Sequence, residues 1–116
     1  MIIGIGLDIV ELGRIRRIDG KSAKFRERIL TERELAEYAA LSPARKTEFL
    51  AGRFAAKEAF GKANGTGIGA GCSFQDIEIR KDPKGKPGIF FRQQETGLVS
   101  ITHTKEYAAA QVLLQS

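Results

Sequence analysis

The chain has 116 residues, enough for one domain with a real but small core. Its 42% hydrophobic and 28% charged residues are those of a soluble globular protein, and its one cysteine, Cys72, excludes an internal disulfide and a cysteine metal cluster. Nineteen Lys and Arg against fourteen Asp and Glu leave a charge of +5, which points to an acidic partner (nucleotide, nucleic acid, acidic protein or anionic membrane) without choosing among them.

The first ten residues, MIIGIGLDIV, are too short and too acid-interrupted for a signal peptide, and no run is long enough to span a membrane. With a lone thiol, this fits a reducing cytoplasm. Residues 2–9 read as a buried strand whose Gly4 and Gly6 imply close approach of another backbone or a ligand. Asp8 ends that run, just before a helix expected from Glu11 to Ile18 with Leu12, Ile15 and Ile18 facing inward. It is either a helix N-cap or a carboxylate aimed into a cleft at the strand's end.

Asp19-Gly20 is expected to interrupt that helix, and a second one over residues 21–30 pairs Phe25 with Ile29 and Lys24 with Arg28. Thr31-Glu32-Arg33-Glu34 has the form of a capping box and starts a third helix reaching about Ala40. Ser42 as cap and Pro43 at the first position start a long helix to Asn64. Residues 74–80, 89–92, 98–103 and 107–114 read as strands; residues 82–87 form a turn, and Thr104-Lys105-Glu106 joins the last two strands as a hairpin. The expected class is α+β: a single domain over residues 1–116, with a small antiparallel sheet against the long helix.

The second half of that helix holds the densest chemistry. Wound at about 100° per residue, Phe49, Gly52, Ala56, Ala59, Phe60 and Ala63 form the buried stripe. Arg53 and Lys57 fall on one flank, Glu58 and Lys62 on the other, and the helix stops in Asn64-Gly65-Thr66-Gly67. Taken alone, Glu58 and Lys62 are an exposed i,i+4 pair. The alternative is an anion site, with Lys62, Lys57, Arg53 and the amides of Gly65, Thr66 and Gly67 around a phosphate-rich ligand and Glu58 holding a divalent cation.

Residues 65–70 match GxGxxG/A but follow a helix instead of a strand, which excludes a dinucleotide fingerprint, and no Gly-Lys-Ser/Thr makes a Walker loop. His103, the sole histidine, has no partner motif for a serine triad; a phosphate contact suits it better. Asp8 and Glu58 with phosphate oxygens and water would make the octahedral oxygen shell that magnesium prefers. The chemistry indicated is phosphoryl or phosphodiester-type transfer.

Three blocks then stand together: GIGLDIVELGRI at residues 4–15, RFAAKEAFGKANGTGIG at 53–69 and VSITHTKEYAAAQV at 99–112. In order and spacing, over nearly the whole chain, the sequence resembles the small bacterial 4′-phosphopantetheinyl transferases, the holo-[acyl-carrier-protein] synthase family. Residues 93–98, QQETGL, depart from it as a polar link.

The resemblance implies magnesium-dependent transfer of 4′-phosphopantetheine from coenzyme A to a serine of apo acyl carrier protein, releasing adenosine 3′,5′-bisphosphate in support of fatty acid biosynthesis. It implies magnesium ligands at Asp8 and Glu58, a diphosphate contact at Lys62, and a coenzyme A site at Arg53, Gly65-Thr66-Gly67 and His103, with Thr104 beside it. It implies a homotrimer with sites at subunit boundaries. Arg14, Lys24, Arg28 and Arg45, with Phe25 as apolar anchor, are expected to meet the acidic carrier. The general base is either Glu58 or a water on the metal. A basic nucleic-acid-binding domain would also explain the charge, but no such motif is present, and neither nucleic acid nor membrane is an expected partner.

Overall fold

Alternating β-branched and glycine residues keep the first ten positions extended in the computed structural model, which describes residues 1–116. Strand β1 (Ile2–Glu11) is followed by helices α1 (Leu12–Lys21), α2 (Lys24–Ile29), α3 (Glu32–Ala39) and α4 (Pro43–Asn64). A single 3-10 turn (Phe74–Asp76) then leads into β2 (Ile77–Lys81), β3 (Pro87–Phe91), β4 (Gln94–Glu95), β5 (Leu98–His103) and β6 (Tyr107–Gln115). The α+β class holds, with two three-stranded antiparallel sheets, ordered β1-β6-β5 and β2-β3-β4.

The glycines of β1 explain how the first sheet meets α4. A Cβ at Gly4 would stand 2.1 Å from the Ala63 carbonyl oxygen, and one at Gly6 would stand 1.9 Å from that of Ala59. Strand backbone therefore lies directly on helix backbone, a spacing open only to glycine. Farther along α4, Gly52 takes the Ile101 side chain of β5, so small residues on the helix seat the sheet on both sides of β6. The second sheet joins through Phe60 on Phe91, ring centroids 5.2 Å apart.

Period 2 separates the two faces of the first sheet. Val10, Ala108, Ala110 and Val112 are buried toward α4, whereas Ile3, Ile5, Leu7 and Ile9 on the opposite face are 60–65% exposed. This apolar row is uncovered within one chain.

Several boundaries differ from expectation. The strand runs on to Glu11, paired through to Tyr107, so Asp8 lies inside β1 and is no helix cap. Asp19-Gly20 does not break α1, because Asp19 is held by side chains from α2 and α3. Residues 74–76 coil into a 3-10 turn under a Ser73–Asp76 capping box, delaying β2 to Ile77. Gln94 and Glu95 in the polar link pair with β3, which positive φ at Arg92 and Gln93 turns back on itself. The Thr31–Glu34 box is complete, while Ser42 makes no side-chain cap bond and leaves the start of α4 to Pro43.

Helix α4 also buries more than one stripe. Arg53 and Lys57 are buried on the flank expected to be open, because α2, α3 and the 3-10 turn pack there.

Candidate active site

Asp8 is carried to α4 by the glycine contact two residues before it. Its carboxylate accepts from Lys62 Nζ at 3.1 Å, and the same ammonium donates to the Leu7 carbonyl at 2.9 Å. Lys62 thus ties strand to helix while remaining about half exposed, with one proton left for an incoming anion. Glu58 stands one turn earlier on α4. Burial, and then the neighbouring Asp8 charge, push its carboxyl above the ordinary range, against the opposing pull of Lys62 and Arg28. Two hard-oxygen carboxylates thus repel each other beside a cation, a donor set suited to a divalent ion such as magnesium.

The turn after α4 borders this group. Gly65 and Gly67 adopt φ of 82° and 66°, closing the helix. The Gly65 and Gly67 amides are spent on the carbonyls of Lys62 and Gly61, and the Thr66 hydroxyl donates to the Gly67 carbonyl. The expected cradle of three amides is therefore narrower: the Thr66 amide is the one the fold leaves free, because the turn folds back on Gly61. Gly61 permits this, since a Cβ there would stand 2.9 Å from the Gly67 carbonyl carbon.

Arg28, on α2, lies over the Phe74 ring at 5.9 Å and close enough to Glu58 to pull its carboxyl down. Phe25 is half-buried against Phe54, which stacks on Phe74. Lys24 and Arg14 are exposed on the neighbouring turns of α2 and α1. Phe25 and Arg28 thus share one surface, over Phe54 and Phe74.

Arg45 does not belong to it. It lines a separate groove of about 430 Å³ between α4, the β2–β3 turn and β5, together with Arg53, Lys81, Glu48 and His103. Its Nε lies 3.5 Å from Glu48, whose other oxygen lies 3.5 Å from His103 Nε2. Arg53 is nearly buried, packed with its guanidinium 4.1 Å over the Phe49 ring and loosely paired with Glu37 at 3.9 Å. Its Nε is enclosed without a partner, and burial lowers its pKa. An enclosed cationic N–H lacking an acceptor is costly, and the groove sets the cations of Arg45, Arg53 and Lys81 beside the carboxylates of Glu37 and Glu48. Thr104 shapes its neighbourhood: the hydroxyl accepts from the Glu106 and Tyr107 amides and sets the β5–β6 hairpin.

Lys57 is the clear correction. It was expected beside the ligand phosphates, yet its ammonium is wholly enclosed, donating to Glu34 Oε1 at 2.6 Å and to the carbonyls of Ile29 and Phe74 at 2.7 and 3.2 Å. Three acceptors exhaust its three protons. Burial pulls its pKa down and Glu34 opposes that pull. Lys57 joins α2, α3, α4 and the 3-10 turn, and has no proton left for a phosphate.

The expected ligand residues thus fall into two groups within one chain. Asp8, Glu58, Lys62 and the glycine turn form one; Arg53 and His103, joined by Arg45, form the other. Arg53 and Lys62 are nine positions apart on α4, about 14 Å along the axis. Lys81 and Glu48 had no sequence signal that would join them to His103, since they come from the end of β2 and from α4, far apart in the chain.

Comparison with known proteins places this arrangement. Residues 4–112 match the family model of the 4′-phosphopantetheinyl transferase superfamily. The chain is 64% identical to the holo-[acyl-carrier-protein] synthase of Bacillus subtilis, over 99% of this chain and 97% of that protein. A crystal structure of the synthase from Bacillus anthracis in complex with CoA (3′,5′-ADP) superposes with a TM-score of 0.93 at 53% identity, covering 100% of this chain and 98% of the other. The Helicobacter pylori synthase in complex with coenzyme A gives 0.84 at 36% identity, over 96% and 99%. With its fold, its length and nearly all of its sequence accounted for in this way, the chain belongs to the 4′-phosphopantetheinyl transferase superfamily, among the holo-[acyl-carrier-protein] synthases, and is a transferase.

Proposed function

We propose that the protein transfers 4′-phosphopantetheine from coenzyme A to a serine of apo acyl carrier protein, in the cytoplasm, with magnesium as cofactor. The observation that carries this reading is the meeting of Asp8, Glu58 and Lys62 beside the glycine turn, produced by backbone contact between β1 and α4. Asp8 and Glu58 would hold the magnesium ion, which supplies charge neutralisation at the coenzyme A diphosphate. Lys62 directs its remaining proton to the same phosphates and offsets the charge that grows as the serine oxygen attacks the β-phosphorus. Arg53 and His103 bind the nucleotide end, since both line the groove shared with Arg45. Arg14, Lys24, Phe25 and Arg28 receive the acidic carrier, and Arg28 lies nearest the carboxylates.

Two separated half-sites favour a homotrimer in which one chain supplies Asp8, Glu58 and Lys62 and its neighbour supplies Arg53 and His103. The uncovered row of Ile3, Ile5, Leu7 and Ile9 supports such packing, since large exposed apolar faces mark association surfaces. The direct test incubates the protein with coenzyme A, magnesium and apo carrier, then weighs the carrier. A gain of one phosphopantetheine on a single serine is expected; an unchanged carrier mass under these conditions overturns the proposal.

A further inference from the structure

The short helix α2 presents Lys24, Phe25 and Arg28, yet six residues are too few to hold their own conformation in water. Something outside α2 must fix it. Its C-terminal end is caught by Gln75, whose Nε2 shares its two protons among the carbonyls of Glu27, Arg28 and Leu30 at 3.0, 3.2 and 2.8 Å. On the other flank stands Asp19, at the end of α1. Its Oδ1 accepts from Arg26 Nε at 2.7 Å, its main-chain oxygen accepts from Arg26 Nη2 at 3.2 Å, and its Oδ2 accepts from the Tyr38 hydroxyl.

Every oxygen of Asp19 is thus engaged by a donor from α2 or α3, and the guanidinium of Arg26 also lies 5.1 Å over the Tyr38 ring. Asp19 and Arg26 are mostly screened from water, where a charge-assisted bond gains strength. None of the three lines the groove of Arg53 and His103 or touches Asp8, Glu58 or Lys62. The clasp joins three helices and serves no visible part of the coenzyme A chemistry.

We propose that Asp19, Arg26 and Tyr38 are positioning residues for carrier recognition: they lock α2 against α1 and α3, so that Lys24, Phe25 and Arg28 stand in fixed relation to Arg14. The inference rests on the docking surface proposed above. Preorganised charges meet a complementary surface without first losing conformational freedom, and that saving appears in affinity for the carrier alone.

The test measures transfer kinetics with the carrier and coenzyme A varied separately, for Asp19→Ala, Tyr38→Phe and the pair together, with Arg28→Glu as control. Asp19→Ala is expected to raise the carrier KM by about tenfold and Tyr38→Phe by less, with coenzyme A KM and kcat unchanged. The pair should do no worse than Asp19→Ala, because the hydroxyl acts through the carboxylate. Hydrogen exchange should speed up in α2 and not in α4. If Arg28→Glu raises the carrier KM and Asp19→Ala does not, the clasp fails and the docking surface stands. If neither moves it, the docking surface fails and takes the clasp with it. Equal rises in both KM values would reduce Asp19 to a general structural role and overturn the proposal.

Discussion

Lys57 and Lys62 lie five residues apart on one helix and have opposite roles. Lys57 has its three protons committed inside the protein, whereas Lys62 is half exposed and bound to Asp8 and one carbonyl. Lys57→Ala leaves the Glu34 carboxylate buried without its cation, a change costing about 3–5 kcal/mol. Lys62→Ala is expected to cost under about 1 kcal/mol in stability and most of the transfer activity. Denaturant melts and initial rates on the two variants check this, and equal loss of stability would contradict the assignment. Glu58 adds a pH dependence. A cation binds its ionised form, and burial and Asp8 hold its carboxyl above the ordinary range, so protons compete with the metal at milder acidity than for a free glutamate. The magnesium concentration for half-maximal activity should rise as pH falls from neutrality toward about 5. A Glu58→Gln variant, which has no proton to lose there, should be weak in metal binding at every pH. A flat magnesium requirement in the parent protein would remove Glu58 from the metal site.

At the scale of elements, the site depends on how closely β1 can lie on α4. Gly6→Ala places a methyl group 1.9 Å from the Ala59 oxygen, so strand and helix must part. The expected result is a loss of about 1–3 kcal/mol in stability, with a fall in activity larger than that loss explains, because Asp8 retreats from Glu58 and Lys62. Gly13→Ala, at a helical position with open space around its Cβ, is the matched control and should be neutral or slightly stabilising. Urea melts and rates measured well below the midpoint separate the two effects. Native activity in a folded Gly6→Ala protein would show that the backbone contact is not what sets the site.

At the scale of the whole molecule, the two half-sites and the bare sheet face make one argument. A Leu7→Glu substitution puts a charge in the centre of the exposed apolar row, where it costs a lone chain little and an assembled one much. Light scattering should report a trimer for the parent protein and a smaller species for this variant, with transfer activity falling together with the mass. Mixing Asp8→Ala with His103→Ala chains tests the sharing directly. If neighbouring chains supply the two halves, mixed trimers contain some intact sites and regain activity; if one chain supplies both, mixing restores nothing. Full activity of a species with the mass of one chain would end the shared-site reading.

Much of this was legible in the residues. The bounds of α4 follow from Pro43 at one end and the glycine turn at the other, and the Thr31 capping box from four adjacent letters, because these signals act within a turn of the chain. Gly4 and Gly6 announced a close backbone approach, and the three motif blocks carried the family. What only the tertiary structure decided is where each cation points. Arg53 and Lys57 are cations of the same helix as Lys62, on its other flank, but α2, α3 and the 3-10 turn close over that flank and leave Lys62 open. Arg45 went to the groove of His103, and Asp19 became the anchor of α2, through contacts across intervals that no periodicity spans. Local sequence sets which backbone forms, since its hydrogen bonds and dihedral preferences are local; the burial of a charge depends on which distant surfaces arrive beside it, and that is settled only when the whole chain packs.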